Sequence, residues 1–303
     1  MKQTMLVPSA HIAELFFPDM QDESRVVDIA DHLSQQPFYR FIETGMVLQP
    51  AQARRLRDIS ETKQVKLTQW MTFVLNQQGL NLSSPDRIQR KRSMKRACEL
   101  VHRAAECGAT RIAFVSGSDP GAAQREAAKS ALGETLEQIG EVMSQYPQMI
   151  MQLEPLDRFA HKCQLIGPTD ETLRWMQQLR RTCPRLYLAW DSAHVALNQE
   201  DPVEALRLWG ALVSQLHLAN AILDPHDPGY GDHHMRFGAP GFLTPAVATA
   251  IVAAARQLPN DPRLDERSIA VEMRTTPDDD RWQIEQACRE FLQQALAGTG
   301  EMA

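Results

Sequence analysis

Four neighbouring apolar runs in the second half of the chain each carry a side chain of a kind that binds cations. The first ends in Gln152-Leu153-Glu154-Pro155, and the second ends in Ala189-Trp190-Asp191, with His194 three residues later. The third contains Leu216-His217-Leu218 and the fourth Val271-Glu272-Met273. An acid between apolar neighbours on a buried strand costs several kcal/mol unless it is paired or bound to a cation. Any one of these residues alone reads as a helix cap or a partner for arginine. Taken together on consecutive runs, Glu154, Asp191, His217 and Glu272 read as one site for a single divalent metal ion. Oxygen-rich ligation with one nitrogen suits Mn²⁺, Mg²⁺, Co²⁺ or Zn²⁺ alike.

Such a site requires elements that bring four distant segments to one place. Short runs rich in Val, Ile, Leu and aromatics occur at 4–9, 39–45, 64–70, 111–117, 149–155, 185–191, 214–220 and 268–274, as expected of buried parallel strands. Helical stretches are predicted near 23–34, 50–60, 86–107, 121–146, 170–182, 201–210, 243–257 and 279–297. In the third of these, Met94, Cys98, Val101 and Ala105 recur at helical spacing, and Gly108 supplies a stop. Thr169 and Asp170 stand where the cap of a later helix belongs. Eight strand–helix units without a composition break predict an α/β chain folded as a single (β/α)₈ TIM barrel over residues 1–303. Residues 221–242 form an unusually long connection and are marked as a functional insertion. In a barrel, the C-terminal strand ends form the active-site face, and that is where the four ligands fall.

The segment Glu154-Pro155-Leu156-Asp157-Arg158-Phe159 resembles the Glu-Pro-Leu-Asn-Arg-Phe signature of ketose 3-epimerases in the xylose isomerase-like barrel superfamily. Asp191-Ser192-Ala193-His194 resembles the Asp-x-x-His element of the same group, and His217 and Glu272 lie on the following two strands, as that group requires. The resemblance covers the chain from about residue 100 onward. It implies that Glu154, Asp191, His217 and Glu272 bind the metal and that His194 contacts substrate oxygens. It also implies that Glu154 and Glu272 move a proton at the carbon beside a carbonyl, through an enediolate. Isomerases, epimerases, sugar dehydratases and lyases acting on oxidised glycosides share that first step. At two positions where the epimerases carry a substrate-contacting Glu and Arg, this chain has Ala160 and Leu223. The ligand implied is a small sugar or sugar derivative, and the resemblance is compatible with a homo-oligomer.

Several other residues invite a role. The histidine-rich stretch 224–241 holds His226, His233, His234 and Arg236, which either line the substrate mouth or stay in solvent. Asp232 and His234 also resemble the Asp-x-His pair of endonuclease IV, a three-zinc relative. That cluster needs histidines where this chain reads Thr68-Gln69-Trp70 and Phe114-Val115-Ser116-Gly117, so a nuclease is not expected. Trp70 and Glu43, at their strand ends, are candidates for contacting substrate, while Trp190 could wall the site or simply pack. Ser116–Gly121 lacks the lysine of a phosphate loop, and the basic run 87–92 lacks the interleaved aromatics of a nucleic-acid patch. A barrel that binds sugar without catalysis would not need both Glu154 and Glu272.

Composition agrees with a small-molecule enzyme. The 303 residues are 43% hydrophobic and carry 32 basic against 38 acidic groups, a net charge of −6 that gives no footprint for nucleic acid. Five scattered cysteines without a CxxC pair point to reduced thiols. The first residues lack a signal-peptide core and no run of about 18 apolar residues occurs, so a cytoplasmic protein without membrane attachment is expected.

Overall fold

The computed structural model describes residues 4–298, and the expected domain ends at 1–3 and 299–303 lie outside the described residues. Its strands are β1 (Met5–His11), β2 (Phe41–Gly45), β3 (Lys66–Trp70), β4 (Arg111–Val115), β5 (Ile150–Glu154), β6 (Leu186–Asp191), β7 (Val213–Ile222), β8 (Gly231–Met235) and β9 (Glu266–Glu272). All but β8 pair in parallel around a closed ring, β1-β2-β3-β4-β5-β6-β7-β9 and back to β1, which is the predicted (β/α)₈ barrel. The helices are α1 (Ile12–Leu15), α2 (Glu23–Ser34), α3 (Pro50–Lys63), α4 (Thr72–Gln77), α5 (Arg87–Glu106), α6 (Arg125–Met143), α7 (Thr169–Leu179), α8 (Ser192–Leu197), α9 (Pro202–Trp209), α10 (Pro245–Arg256) and α11 (Arg281–Ala297). Three of them, α1, α4 and α8, are short pieces in the connections after β1, β3 and β6, and were not expected. Among the described residues, no helix is long and apolar enough to cross a membrane.

Strand alternation explains both the apolar runs and the polar interruptions within them. Successive side chains point to opposite faces. Ile42, Leu67, Ile112, Leu153, Leu188, Leu216 and Ile269 are fully buried in the layer shared with the helices. Their neighbours in sequence point into the barrel, and register lines them up: Asp191 stands beside His217, His217 beside Ala270, and Ala219 beside Glu272. At the opposite end the interior is closed by Arg111. Its guanidinium donates to Ser214 O, Ser268 Oγ and Glu266 O at 3.0, 2.7 and 2.6 Å, and lies 3.9 Å from the centre of the Phe41 ring.

Local signals set the helix ends. Asp86 accepts from Ile88 N and Gln89 N, both at 2.8 Å, starting α5, and Gly108 at φ +75° follows its end. The buried face of α5 is Ser93, Ala97, Leu100, Val101 and Ala104, which shares Val101 with the expected stripe and leaves Met94, Cys98 and Ala105 at its edge. Thr169 is not a cap: α7 begins at Thr169 itself, whose N–H and hydroxyl both donate to Glu200.

The expected loop at 221–242 is instead built onto the barrel. β7 runs past the rim to Ile222, and β8 returns antiparallel to it, pairing Met235 with Asn220 and Gly231 with Ile222. Gly231, at φ +119°, also lies so close to His161 that a Cβ there would stand 2.9 Å from the His161 Cβ. Asn220 holds the return: its Nδ2 donates to Arg236 O at 2.7 Å and Gly238 O at 2.8 Å, and its Oδ1 accepts from Leu243 N at 2.7 Å. Asn220→Ala strips the partners from one buried and two part-buried backbone groups and should cost about 2 kcal/mol. Hydrogen exchange should then accelerate across 231–243 while the barrel strands stay protected. Unchanged exchange there would show that the insertion is held by something else.

Candidate functional site

The mouth of the barrel gathers the four predicted ligands. One ligand atom each from Glu154, Asp191, His217 and Glu272 lies within 4.8 Å of all the others, and all four residues are buried. Glu154, Asp191 and Glu272 are the last residues of β5, β6 and β9, while His217 lies at mid-strand in β7.

Three of the four side chains, His217, Asp191 and Glu272, are oriented by a contact outside the cluster. His217 Nδ1 faces the cluster, 2.7 Å from Glu272 Oε2 and 3.2 Å from Glu154 Oε1. Its Nε2 lies 3.1 Å from Glu43 Oε2. When Nε2–H donates to Glu43, the Nδ1 lone pair is directed at the cluster, as a metal-binding imidazole requires. Asp191 Oδ1 caps α8 by accepting from His194 N at 3.0 Å, so the bland reading of this acid as a cap is correct for one of its oxygens. Its Oδ2 is buried and has no hydrogen-bond partner among the described residues. Glu272 is bracketed by His217 and by His234, whose Nδ1 lies 2.8 Å from Glu272 Oε1.

Electrostatics show the crowding. Burial first, and then the charges of Glu272, Glu154 and Asp232 working against that of His194, push the Asp191 carboxyl up to about 8. Burial opposes ionising Glu272, but the charges of His217 and His234 override it and hold the carboxyl well below its usual range. Burial also opposes charging His217, yet Glu272, Glu43 and Glu154 raise it well above the ordinary imidazole value. An unpartnered buried oxygen, a crowded set of acids and a directed imidazole nitrogen are what a divalent cation would satisfy. The residues therefore fit one.

The other predicted site residues divide. His194 lines the cavity at the mouth, with Nδ1 3.2 Å from Asp157 Oδ2 and Nε2 3.7 Å from Asp232 Oδ2. His234 lines it as well, with its backbone at φ +50° in the left-handed region that few side chains adopt. Trp70 forms part of the wall and donates its Nε1 to Glu43 at 3.1 Å. Glu43 is a correction: β2 continues to Gly45, so Glu43 lies a layer below the rim, fully buried behind His217. There it accepts from Ser9 Oγ, Trp70 Nε1 and Gln215 Nε2 at 2.7, 3.1 and 2.5 Å. Burial would raise its carboxyl, but the charges of His217 and His11 bring it down to about 2. Arg236 is a second correction, since its side chain is 72% exposed and pairs with Asp279 outside the cavity. His226 and His233 are exposed, and Trp190 packs in the core.

Sequence reasoning missed several participants. His11 ends β1 and stacks on His217 at 4.7 Å and on Trp70 at 5.6 Å. The alternation Val7, Ser9, His11 was its only signal, two residues past the expected strand end. Asp157, inside the signature, receives His161 N and Lys162 N at 2.5 and 2.9 Å and so fixes the loop that carries Lys162 to Asp232. Arg158 of the same segment is structural, donating to Glu171 and Leu165 O. Arg274 donates to both oxygens of Glu14 at 2.5 and 2.8 Å, a contact no local pattern announces.

The model of one family, described as xylose isomerase-like TIM barrel, matches residues 38–291. No curated protein matches the chain. Among solved structures it is similar to a D-psicose 3-epimerase with D-tagatose from Clostridium cellulolyticum H10, at TM-score 0.66 and 15% identity over 99% of this chain and 98% of that one. It is similar to a D-tagatose 3-epimerase-like protein at TM-score 0.70 and 15% identity, covering 99% of both chains. A third is the IOLI protein with a binding zinc atom, at TM-score 0.66 and 13% identity over the whole of both chains. Likeness at these identities concerns the fold.

The buried partner of His217 is open to a direct test. Glu43→Gln keeps the shape but removes the charge that fixes the imidazole, so affinity for Mn²⁺ or Zn²⁺, measured by calorimetric titration, should fall 10–100-fold, the usual effect of losing such a partner. Unaltered affinity would mean that Glu43 serves packing alone.

Proposed function

Because the chain belongs to the xylose isomerase-like TIM-barrel family, we propose that it is a divalent-metal-dependent sugar isomerase or epimerase, acting as a single domain. The observation that carries this reading is the convergence of Glu154, Asp191, His217 and Glu272 at the barrel mouth, where Glu154 and Glu272 line a cavity of about 400 Å³. That three of the four side chains are acids on separate strand ends supports it, as does the sugar 3-epimerase activity named for structural neighbours. The four residues would hold one ion, which when bound stabilises the negative charge that develops on a carbonyl oxygen and its neighbouring hydroxyl.

The remaining chemistry falls to the side chains. Glu154 and Glu272, on β5 and β9, both face the cavity, so one carboxylate can take the proton from the carbon beside the carbonyl. The electron pair of that C–H bond moves toward the carbonyl oxygen, giving an enediolate of the sugar. Return of a proton to the other face of the same carbon completes an epimerisation, and return to the neighbouring carbon completes an isomerisation. His234 and His217 restrict Glu272 to one orientation, which favours a defined direction of attack. His194, held by Asp157, and Lys162, held by Asp232, present donors at the rim for sugar hydroxyls. A sugar dehydratase or lyase would begin with the same proton removal and differ only in the group expelled next.

Elemental analysis of the purified protein before and after chelation should find about one Mn, Co, Mg or Zn per chain, lost in His217→Ala. Glu154→Gln and Glu272→Gln should each lower turnover at least a thousandfold. Each should also stop incorporation of solvent deuterium at the carbon beside the carbonyl in a ketose screen. Full activity in both variants would remove the two-carboxylate mechanism, and absence of metal under every reconstitution would remove the metal.

A further inference from the structure

The cavity above the three acids and the imidazole is lopsided. Around the ring, β2 stands across from β6 and β3 across from β7, so the segments after β1, β2 and β3 face the cluster. The arc they build presents Phe17, Met20, Met46, Leu48, Phe73 and Val74 to the same cavity that Glu154 and Glu272 line. Phe17 and Phe73 come from connections far apart in sequence, yet they are 37% and 42% exposed on one shared wall. Exposed large apolar groups that converge on a concave surface mark a binding site rather than a random scatter.

The lysine and the arginine that line this mouth are already paired with acids. Lys162 Nζ lies 3.0 Å from Asp232 Oδ2. Arg274 is held by both oxygens of Glu14, with its guanidinium 4.3 Å from the centre of the Phe17 ring. A phosphate or carboxylate on the ligand would displace one of these pairs and leave an acid beside it unmatched. A free sugar, hydroxylated all round, would leave the apolar arc against water, and a single six-carbon ring does not fill a cavity of this class.

We infer that the ligand is an uncharged glycoside that carries a ketone on its sugar ring, with an aryl or alkyl aglycone seated between Phe17 and Phe73 and the oxidised ring facing Glu154 and Glu272; glycosides without the ketone would bind as unreactive analogues. The placement of the sugar ring rests on the functional reading above, whereas the apolar arc stands without it. Burying a phenyl group there in place of a methyl removes enough apolar surface from water to tighten binding about tenfold.

The test titrates Mn²⁺-loaded protein with phenyl and methyl glycosides of glucose, galactose and xylose in both anomers, and with glucose phosphate. A phenyl glycoside should bind about tenfold tighter than its methyl counterpart, and glucose phosphate weaker than either. Phe17→Ala and Phe73→Ala should each reduce the phenyl advantage severalfold while Mn²⁺ affinity is retained. Equal affinities, no binding of any glycoside, or tightest binding of the sugar phosphate would overturn the inference. So would light scattering that shows a dimer dissociating in these variants, because the arc would then belong to a second copy of the chain. A phenyl preference that persists in protein unable to bind Mn²⁺ would support the apolar arc and remove the metal reading instead.

Discussion

Everything at the mouth of this barrel follows from the cost of enclosing acids beside one another. Two unit charges of like sign 4.8 Å apart repel by about 3–4 kcal/mol at an effective dielectric constant near 20. Glu154, Asp191 and Glu272 sit at that separation or closer, and a typical domain is stable by only about 5–15 kcal/mol. The chain meets the problem with imidazoles: His217 and His234 flank Glu272, and His194 stands beside Asp191. Asp191 is nevertheless driven up to about 8 by burial and its acidic neighbours, and one of its oxygens stays unpartnered. A cluster balanced this closely gains from a bound cation, which replaces protons as the counter-charge.

The barrel makes that enclosure geometrically unavoidable. With strands closed into a ring, every second residue points inward, and the register between β6, β7 and β9 places Asp191, His217 and Glu272 on that inner face. The outward positions are apolar and lie in the core shared with the helices, so a slip by one residue would bury the acids under helices and turn leucines into the mouth. The same core therefore enforces the site. The extension of β7 beyond the rim adds a second level, because the returning β8 delivers Asp232 and His234 over the cluster from above.

The parts legible in the sequence were those with a local cause. Apolar runs located all eight barrel strands, and the acids and the histidine inside such runs located the four side chains that cluster at the mouth, because both are unusual over a few residues. The expected runs end correctly at Gly45, Trp70 and Asp191, but the ends of β1 and β7 were not legible, since they depend on the neighbour across the ladder rather than on composition. β1 runs on to His11, two residues past the expected end, which hid that residue, while Glu43, expected to contact substrate, lies two residues before the end of β2 and is fully buried. Arg236 lies in a polar stretch that gives no sign of which side faces the cavity, and it faces away. The Glu14–Arg274 pair joins residues 260 positions apart, a closure that only the folded ring brings about. Helices such as α4 and α8, six residues each, are too short to show a period.

Asp191 and His217 show why structural and chemical readings of one residue need not compete. Asp191 uses one oxygen to start α8 and thereby turns its other oxygen toward the cluster. His217 spends one nitrogen on Glu43, itself fixed by Ser9, Trp70 and Gln215, and thereby turns the other toward the same point. In each case the atom that holds the fold orients the atom left for chemistry. A side chain fixed this way has already lost its rotamer freedom on folding, so ligand binding does not pay that entropy again. The geometry at the barrel mouth is thus a consequence of interior hydrogen bonding two layers deep. The loops around it are left to determine which ligand is admitted.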